Sequence, residues 1–206
     1  MAVQAVIFDI GNVLIGWQPE AFFDRVIGQD RSAAFFAAIP LHDMNDRVDR
    51  GESFHGVIAQ TKTAYPDWEG ELTVWEDRWI EMASPAIDHS VRLLRALRRV
   101  GVPVFALSNL GNETLVIAER EYPFLEEFDH RYISGEMGVT KPDPRIYEQV
   151  ETHCGLPAAS LLFTDDRAEN ISVAQARGWQ THLFDGPQGL ARRLVDAGLL
   201  TPEAAE

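Results

Sequence analysis

The chain has 206 residues and a formal net charge of −14, from 18 Lys+Arg against 32 Asp+Glu. Such an acidic surface repels nucleic-acid phosphates and anionic lipid, so we expect neither a nucleic-acid partner nor a membrane-surface role. Hydrophobic residues make up 46% and charged residues 24% of the chain, a balance typical of a folded protein rather than a disordered one. The length suits one domain, or one domain that carries a sizeable insertion.

Five short apolar runs, rich in Val, Ile, Leu and Phe, predict β-strands. All but the third are nearly continuous rather than alternating, as expected for strands buried on both faces of a parallel sheet. Helical periodicities precede the second, fourth and fifth runs, and this alternation predicts an α/β fold with a Rossmann-like parallel sheet. The predicted strands are 3–8, 104–107, 131–133, 161–164 and 181–184.

The stretch between the first two strands is longer than one crossover requires. It contains no convincing strand, and its apolar residues recur at helical spacing, for example at Leu72, Trp75 and Trp79. We therefore predict that residues 16–84 form an inserted α-helical cap. Residues 1–15 and 85–206 then form the α/β core.

The single cysteine, Cys154, bears on the compartment. It cannot form an internal disulfide, which is typical of a reducing environment, and we expect it to be a small core residue. The N-terminal stretch has no basic leader and is interrupted by Asp9 and Asn12, so we predict no signal peptide. No apolar run approaches the roughly 18 residues that span a bilayer. We expect a cytoplasmic protein.

Polar residues stand where the predicted strands end. In parallel α/β sheets, ligands bind beyond the carboxyl ends of the strands, so these residues predict a site. A carboxylate such as Asp9 can act as a nucleophile, although Asp before Gly-Asn also makes an ordinary turn. The polar endings are Asp9, Ser108-Asn109, Ser134 and Asp165-Asp166.

Three features at or near these strand endings suit a phosphorylated ligand. Ser108 and Asn109 precede a predicted helix start, where a hydroxyl, an amide and free N–H groups can hold an anion or can simply cap the helix. Lys141 precedes another helix and can neutralise a phosphoryl group, unless it is an ordinary solvated lysine. The adjacent carboxylates of Asp165 and Asp166 repel each other, and Mg²⁺ would relieve that repulsion; the alternative is one helix cap and one solvated acid.

Four motifs together resemble those of the haloacid dehalogenase-like hydrolase superfamily, in the same order along the chain. They are FDIGNVL, ALSN, KPDPRIY and FTDDRAENI, and the helical insertion resembles the type-1 cap of that superfamily. FDIGNVL, EYP and GVTKPDPRIY are most similar to the bacterial α-D-glucose-1-phosphate phosphatase branch. The resemblance implies a Mg²⁺-dependent phosphomonoester hydrolase that acts on a small anionic metabolite such as a sugar phosphate.

The resemblance also implies a role for each motif residue. Asp9 would attack phosphorus and become an aspartyl phosphate, with Lys141 as its catalytic partner. The groups that would hold Mg²⁺ are Asp9, the carbonyl of Gly11 and Asp166, with Asp165 contributing directly or through another ligand. The groups that would bind phosphoryl oxygens are Ser108, the backbone N–H of Asn109 and Lys141. The cation and Lys141 would balance the three carboxylates before an anionic substrate binds.

Two positions depart from the pattern of the superfamily. Gly11 stands where most of its phosphatases have a second aspartate, whose acid–base help is worth about 10²–10⁴-fold. Turnover should therefore be slow, or the proton must come from elsewhere. His42, Asp46 and Asp49 in the cap are candidates, although a polar helix face is more often simply solvated. Asn170 stands where an acid is common, and its amide oxygen can still bind or orient a ligand.

The missing aspartate leaves other functions open. A 2-haloacid dehalogenase needs no proton for a departing halide, but it also needs no metal, and Gly11 stands where such enzymes often carry a bulky aromatic residue. A catalytically weak binding or regulatory protein is a third reading, against which the retained nucleophile, lysine and acidic pair argue.

The cap should select the substrate. Its tryptophans could stack on a sugar face, although two of them lie four residues apart on a helix, a spacing more typical of core residues. The tryptophans concerned are Trp17, Trp68, Trp75 and Trp79.

Overall fold

A computed structural model describes residues 2–206 of the chain. Its centre is a five-stranded sheet in the order β5-β4-β1-β6-β7, and every neighbouring pair is parallel. The predicted α/β fold with a parallel sheet is confirmed. The strands are β1 (Ala5–Phe8), β2 (Ile15–Trp17), β3 (Ala83–Ala86), β4 (Val104–Ser108), β5 (His130–Ile133), β6 (Leu161–Asp165) and β7 (Gln180–Leu183).

Strand β1 lies between two apolar layers. Val6 and Phe8 belong to one cluster of buried side chains, whereas Ala5 and Ile7 belong to the other. Both faces of the strand are therefore covered, which explains its continuous apolar run. Strand β7 differs from this expectation because it lies at the sheet edge, where it is half-buried and Leu183 is 47% exposed.

Helices occupy most of the remaining chain. The first six lie between β2 and β3, in the stretch for which the sequence predicts helices. The helices are α1 (Pro19–Ile27), α2 (Gln29–Ala38), α3 (Leu41–Asp49), α4 (Phe54–Ala64), α5 (Glu69–Asp77), α6 (Trp79–Met82), α7 (Asp88–Arg99), α8 (Asn112–Glu121), α9 (Ser134–Met137), α10 (Pro144–Cys154), α11 (Ala168–Ala176) and α12 (Pro187–Asp196).

The segment from α1 to α6, called here the helical segment, has an aromatic core. The Phe23 ring stacks on Phe35 at 4.9 Å and lies 5.8 Å from the Trp75 ring, measured between centroids. These contacts bury the apolar residues that recur at helical spacing in the sequence. The division of the chain into a core domain and a cap domain stays a prediction.

The two short strands β2 and β3 pair antiparallel at the base of the helical segment. The expectation of no strand in this stretch is wrong at its two ends. Strands of three and four residues that contain Gly16 and Pro85 are too short to show a periodicity. Their pairing holds the two ends of the helical segment together.

Helix α3 approaches the carboxyl edge of the sheet closely. A Cβ atom added at Gly111, just before α8, would overlap the Val48 side chain and lie 3.0 Å from the Val48 carbonyl oxygen. Gly51 follows α3 with φ +98°, and a Cβ there would lie 2.6 Å from the Gly135 carbonyl oxygen. The absence of side chains at these glycines lets the end of α3 lie against the loop that follows β4 and against α9.

The structure bears on the expectations of no membrane-spanning segment and of a core position for Cys154. Across residues 2–206, no helix is both long and apolar enough to cross a bilayer. Cys154 is a free, half-buried residue at the end of α10, so it is less enclosed than a core residue.

Candidate active site

Asp9 directly follows the central strand β1 and is buried at the carboxyl edge of the sheet. Its Oδ1 atom accepts hydrogen bonds from the Ile10 N–H at 2.7 Å and from the Ser108 hydroxyl at 2.8 Å. The Lys141 Nζ atom lies 2.9 Å from the same oxygen. These contacts fix the orientation of the carboxylate.

Lys141 is buried between two carboxylates rather than solvated at the surface. Its Nζ atom lies 2.6 Å from Asp165 Oδ2, and the lysine side chain is 1% exposed. The Asn109 side chain holds the lysine backbone, because its Oδ1 accepts from the Lys141 N–H at 2.7 Å and its Nδ2 donates to the Lys141 carbonyl at 2.9 Å. Asn109 therefore positions Lys141, a contact that the sequence does not predict.

The charges of these groups influence one another strongly. Burial raises the pKa of Asp9 to about 6; the charge of Lys141 opposes this shift, and that of Asp165 adds to it. Burial by itself would lower the pKa of Lys141, but the carboxylates of Asp9 and Asp165 raise it above its ordinary value. Lys141 therefore stays cationic inside the site.

An acidic cluster adjoins Lys141. One oxygen from each of Asp9, Asp165 and Asp166 lies within 4.8 Å of the others. The Asn170 Nδ2 donates to both Asp165 oxygens at 3.0 Å, and its buried Oδ1 atom has no hydrogen-bond partner within residues 2–206. Carboxylate oxygens together with a free amide oxygen form the hard donor set that suits Mg²⁺. The residues present therefore fit the expected cation.

Asp165 differs from the other two acids because its oxygens are already occupied. Both of them accept from Asn170, Oδ1 also accepts from the Arg167 N–H at 2.8 Å, and Oδ2 faces Lys141. A carboxylate has about four acceptor positions, so few remain for a metal. Asp166 is more open: its Oδ2 atom accepts a single hydrogen bond, from Asn12 Nδ2 at 2.9 Å.

A cavity of about 410 Å³ opens above these groups, between the sheet edge and the helical segment. Every predicted site residue except Asp165 lines it, and Asp165 lies buried just below. The lining residues from the predicted site are Asp9, Gly11, Ser108, Asn109, Lys141, Asp166 and Asn170. Polar residues of α3 and a patch of large apolar side chains form the opposite wall, namely His42, Asn45, Asp46, Asp49, Trp17, Phe54 and Trp79.

The four tryptophans considered for substrate stacking separate into two pairs. Trp17 and Trp79 line the cavity. Trp75 is fully buried in the core, and Trp68 packs against Phe35 with the two ring centroids 5.8 Å apart. Only the first pair is placed to contact a ligand in the cavity.

Asp49 also lines the cavity. The sequence favours a solvated helix face for this residue. Burial, followed by the charges of Asp46 and Asp9, raises the pKa of Asp49 to about 7, against the opposing charges of Lys141 and Arg50. In the sequence Asp49 resembles the other charged residues of α3, although it directly follows Val48, a buried residue of that helix.

Comparisons with known proteins agree with this arrangement. A family model for haloacid dehalogenase-like hydrolases matches residues 3–178. The sesquiterpene phosphatase astK of Aspergillus oryzae is 28% identical over 189 residues, which cover 88% of this chain and 90% of that protein. The (S)-2-haloacid dehalogenase of a Pseudomonas species is 31% identical over 88 residues, which cover 43% of this chain and 38% of the dehalogenase.

A solved structure from Bacteroides thetaiotaomicron shares the fold. It is a haloacid dehalogenase family enzyme in complex with magnesium and inorganic phosphate, with a TM-score of 0.71 and 22% identity. The match covers 89% of this chain and 95% of that one.

A parallel sheet with a lysine and a carboxylate cluster at its carboxyl edge is the arrangement of an α/β enzyme that binds its ligand beyond the strand ends. The chain belongs to the haloacid dehalogenase-like hydrolase family. The resemblance drawn from the four motifs is thereby confirmed, while its assignment to the glucose-1-phosphate phosphatase branch stays a prediction.

Proposed function

We propose that the protein is a Mg²⁺-dependent phosphomonoester hydrolase that forms an aspartyl phosphate on Asp9. The observation that carries this proposal is the Asp9 carboxylate at the cavity floor, with Ser108 at 2.8 Å and Lys141 at 2.9 Å from its Oδ1. A carboxylate held by fixed donors, beside a buried cation, is suited to in-line attack on a phosphoryl group.

The phosphoryl oxygens would be bound by three groups, two of which, Ser108 and Lys141, already contact Asp9. These are the Ser108 hydroxyl, the Asn109 backbone N–H and the Lys141 ammonium group. Their charge and dipoles are in place before the reaction, so they stabilise the negative charge that develops on the phosphoryl oxygens without reorganisation. The contacts from Asn109 to the Lys141 backbone keep the lysine in position.

Asp9, Gly11 and Asp166 would hold Mg²⁺, and Asn170 offers its unpartnered Oδ1. Asp165 would contribute through its hydrogen bonds to Lys141 and Asn170, because its acceptor positions are occupied. The bound cation supplies positive charge against the phosphoryl oxygens. A magnesium and phosphate complex of a family member with the same fold supports this cofactor.

The cavity favours a small phosphate ester whose other end has an apolar face. Trp17, Phe54 and Trp79 line the side of the cavity formed by the helical segment, and such rings pack against the C–H face of a sugar or against a hydrocarbon. The relative named as a sesquiterpene phosphatase supports the hydrocarbon, and the motif resemblance supports the sugar. We propose a small anionic metabolite in the cytoplasm as the substrate, and no nucleic-acid partner.

Hydrolysis of p-nitrophenyl phosphate with added Mg²⁺ tests the proposal. We expect turnover that EDTA stops and that Asp9→Asn abolishes. Asp43→Asn is the matched control, because Asp43 is an exposed acid of α3 that does not line the cavity. Turnover in Asp9→Asn equal to that of the control would overturn the assignment of the nucleophile.

The dehalogenase is the second candidate, favoured by the absence of a second acid two residues after Asp9 and by the partial match to a haloacid dehalogenase. Chloride release from 2-chloropropionate that persists in EDTA, without phosphatase activity, would establish it instead. A binding or regulatory protein would show neither activity, and Mg²⁺ with beryllium fluoride would form no phosphoaspartate mimic on its Asp9.

A further inference from the structure

Cleavage of an alkyl phosphate requires a proton for the departing oxygen. Gly11 cannot supply it, and Asp9 is occupied as the proposed nucleophile. Two other acids of the cavity are engaged, since Asp166 accepts from Asn12 and Asp46 pairs with Arg50. The remaining candidates, both on the opposite wall, are His42, whose side chain is exposed to solvent, and Asp49.

Asp49 is placed to meet this need. It is the last residue of α3, lines the same cavity as Asp9 and Lys141, and is half-buried. Over residues 2–206, no hydrogen bond or ion pair engages its carboxyl group. The position is fixed by the neighbouring residue, because Val48 packs against Gly111 in the loop that follows Ser108.

We propose that Asp49 is the general acid that protonates the leaving oxygen and then the general base that activates water. The inference rests on the proposed phosphatase function and adds to it the residue that completes its proton transfers.

The first step forms the bond from Asp9 to phosphorus and breaks the bond from phosphorus to the ester oxygen. The proton of the Asp49 carboxyl group moves to that oxygen, so the products are an alcohol, the aspartyl phosphate and the Asp49 carboxylate. In the second step the Asp49 carboxylate takes a proton from water as the water oxygen attacks phosphorus. The bond to Asp9 breaks, and the products are inorganic phosphate, the Asp9 carboxylate and protonated Asp49.

The electrostatic surroundings of Asp49 suit both roles. Its pKa is raised to about 7 by burial and by the charges of Asp46 and Asp9, so both protonation states are populated near neutral pH. Helices α4 and α9 also pack against α3, but their charged side chains do not line the cavity. The charged groups that line it around Asp49 are Asp9, His42, Asp46, Arg50, Lys141, Asp166 and Arg167.

Asp49→Asn separates this role from a structural one when two esters are compared. An alkyl phosphate needs a proton on its leaving oxygen, whereas 2,4-dinitrophenyl phosphate does not. We expect turnover of the alkyl ester to fall by about 10²–10⁴-fold. With the dinitrophenyl ester we expect a burst of one equivalent of phenol per site, followed by slow turnover, because the phosphoenzyme forms but is hydrolysed without its base.

The pH profile gives a second readout. In the wild type, kcat/KM for the alkyl ester should fall as the pH rises above about 7, because the general acid must be protonated. The variant should lack this alkaline limb. Asp46→Asn should move the limb to lower pH, since the charge of Asp46 helps to raise the pKa of Asp49.

A rescue variant and a control complete the test. A Cβ added at Gly11 meets no atom within 4 Å, so Gly11→Asp can supply an acid from the sheet edge. Combined with Asp49→Asn, it should restore turnover of the alkyl ester. Asp43→Asn on the same helix should behave as wild type in every assay.

The outcomes distinguish this inference from the proposed function. Absence of any phosphoenzyme or phosphate release in the wild type would refute the proposed function. An active wild type whose Asp49→Asn variant keeps alkyl ester turnover and the alkaline limb would refute the role of Asp49. Equal losses on both esters with no burst, in a variant with an unchanged urea unfolding curve, would also refute it.

Discussion

Replacing Lys141 with methionine would leave two buried carboxylates without their countercharge. The Nζ atom lies 2.6 Å from Asp165 Oδ2 and 2.9 Å from Asp9 Oδ1, and the carboxylate side chains are 0% and 9% exposed. Removing one partner of a buried ion pair costs about 3–5 kcal/mol. Because Asp9 can take up a proton, we expect a loss in the lower part of that range.

Binding of the proposed cation should offset part of the stability that Lys141→Met loses. Mg²⁺ at 100 times its Kd adds about 2.7 kcal/mol to the free energy of unfolding. Lys62→Met is the matched control, because Lys62 is the other lysine of the chain and its ion pair with Glu76 is 2.7 Å long but only half-buried. That pair is worth about 0–1 kcal/mol, so the control should stay close to wild type.

Urea unfolding followed by tryptophan fluorescence, with EDTA and with Mg²⁺, measures both effects. Lys141→Met should unfold at lower urea than Lys62→Met, and Mg²⁺ should raise the urea midpoint of both variants. Equal midpoints for the two variants would refute the role of Lys141 as the buried countercharge. A midpoint of Lys141→Met that ignores Mg²⁺ would refute the proposed metal site.

Three further substitutions test separate parts of the site. Ser108→Ala removes the hydroxyl that donates to Asp9 at 2.8 Å, and kcat/KM for p-nitrophenyl phosphate should fall about 10- to 100-fold; an unchanged value would remove Ser108 from the site. Gly111→Ala places a methyl group against Val48, so it should lower the free energy of unfolding in urea by about 1–3 kcal/mol and slow alkyl ester turnover. Adding Val48→Ala should restore much of the stability and of the turnover. No rescue would mean that this contact does not position α3. Trp17→Ala should raise KM for a phosphate ester with a large apolar group while leaving KM for methyl phosphate unchanged, and an equal rise for both would exclude it as a specificity residue.

Much of the site follows from the sequence because strand ends are local features. The apolar run before Asp9 predicts a buried strand, and the same reasoning applies to Ser108 and Asp165. Parallel strands bring their carboxyl ends to one edge, so these residues meet although they lie far apart in the chain. The predicted strands lie within two residues of the observed ones.

The helical segment is harder to predict because its contacts with the sheet depend on packing between distant positions. Asp49 is in a run of charged residues that looks solvated, and its burial follows from the fit of Val48 against Gly111. No local pattern contains that contact. Trp75 and Trp79 also could not be told apart from the sequence, because both belong to one helical pattern although only Trp79 lines the cavity.

Acid quenching during turnover, followed by peptide mass spectrometry, detects the proposed phosphoenzyme directly. We predict the added mass of one phosphoryl group on the peptide that contains Asp9, and no such addition in Asp9→Asn. Turnover of a phosphate ester with the label on a different residue, or with no labelled peptide, would contradict the account.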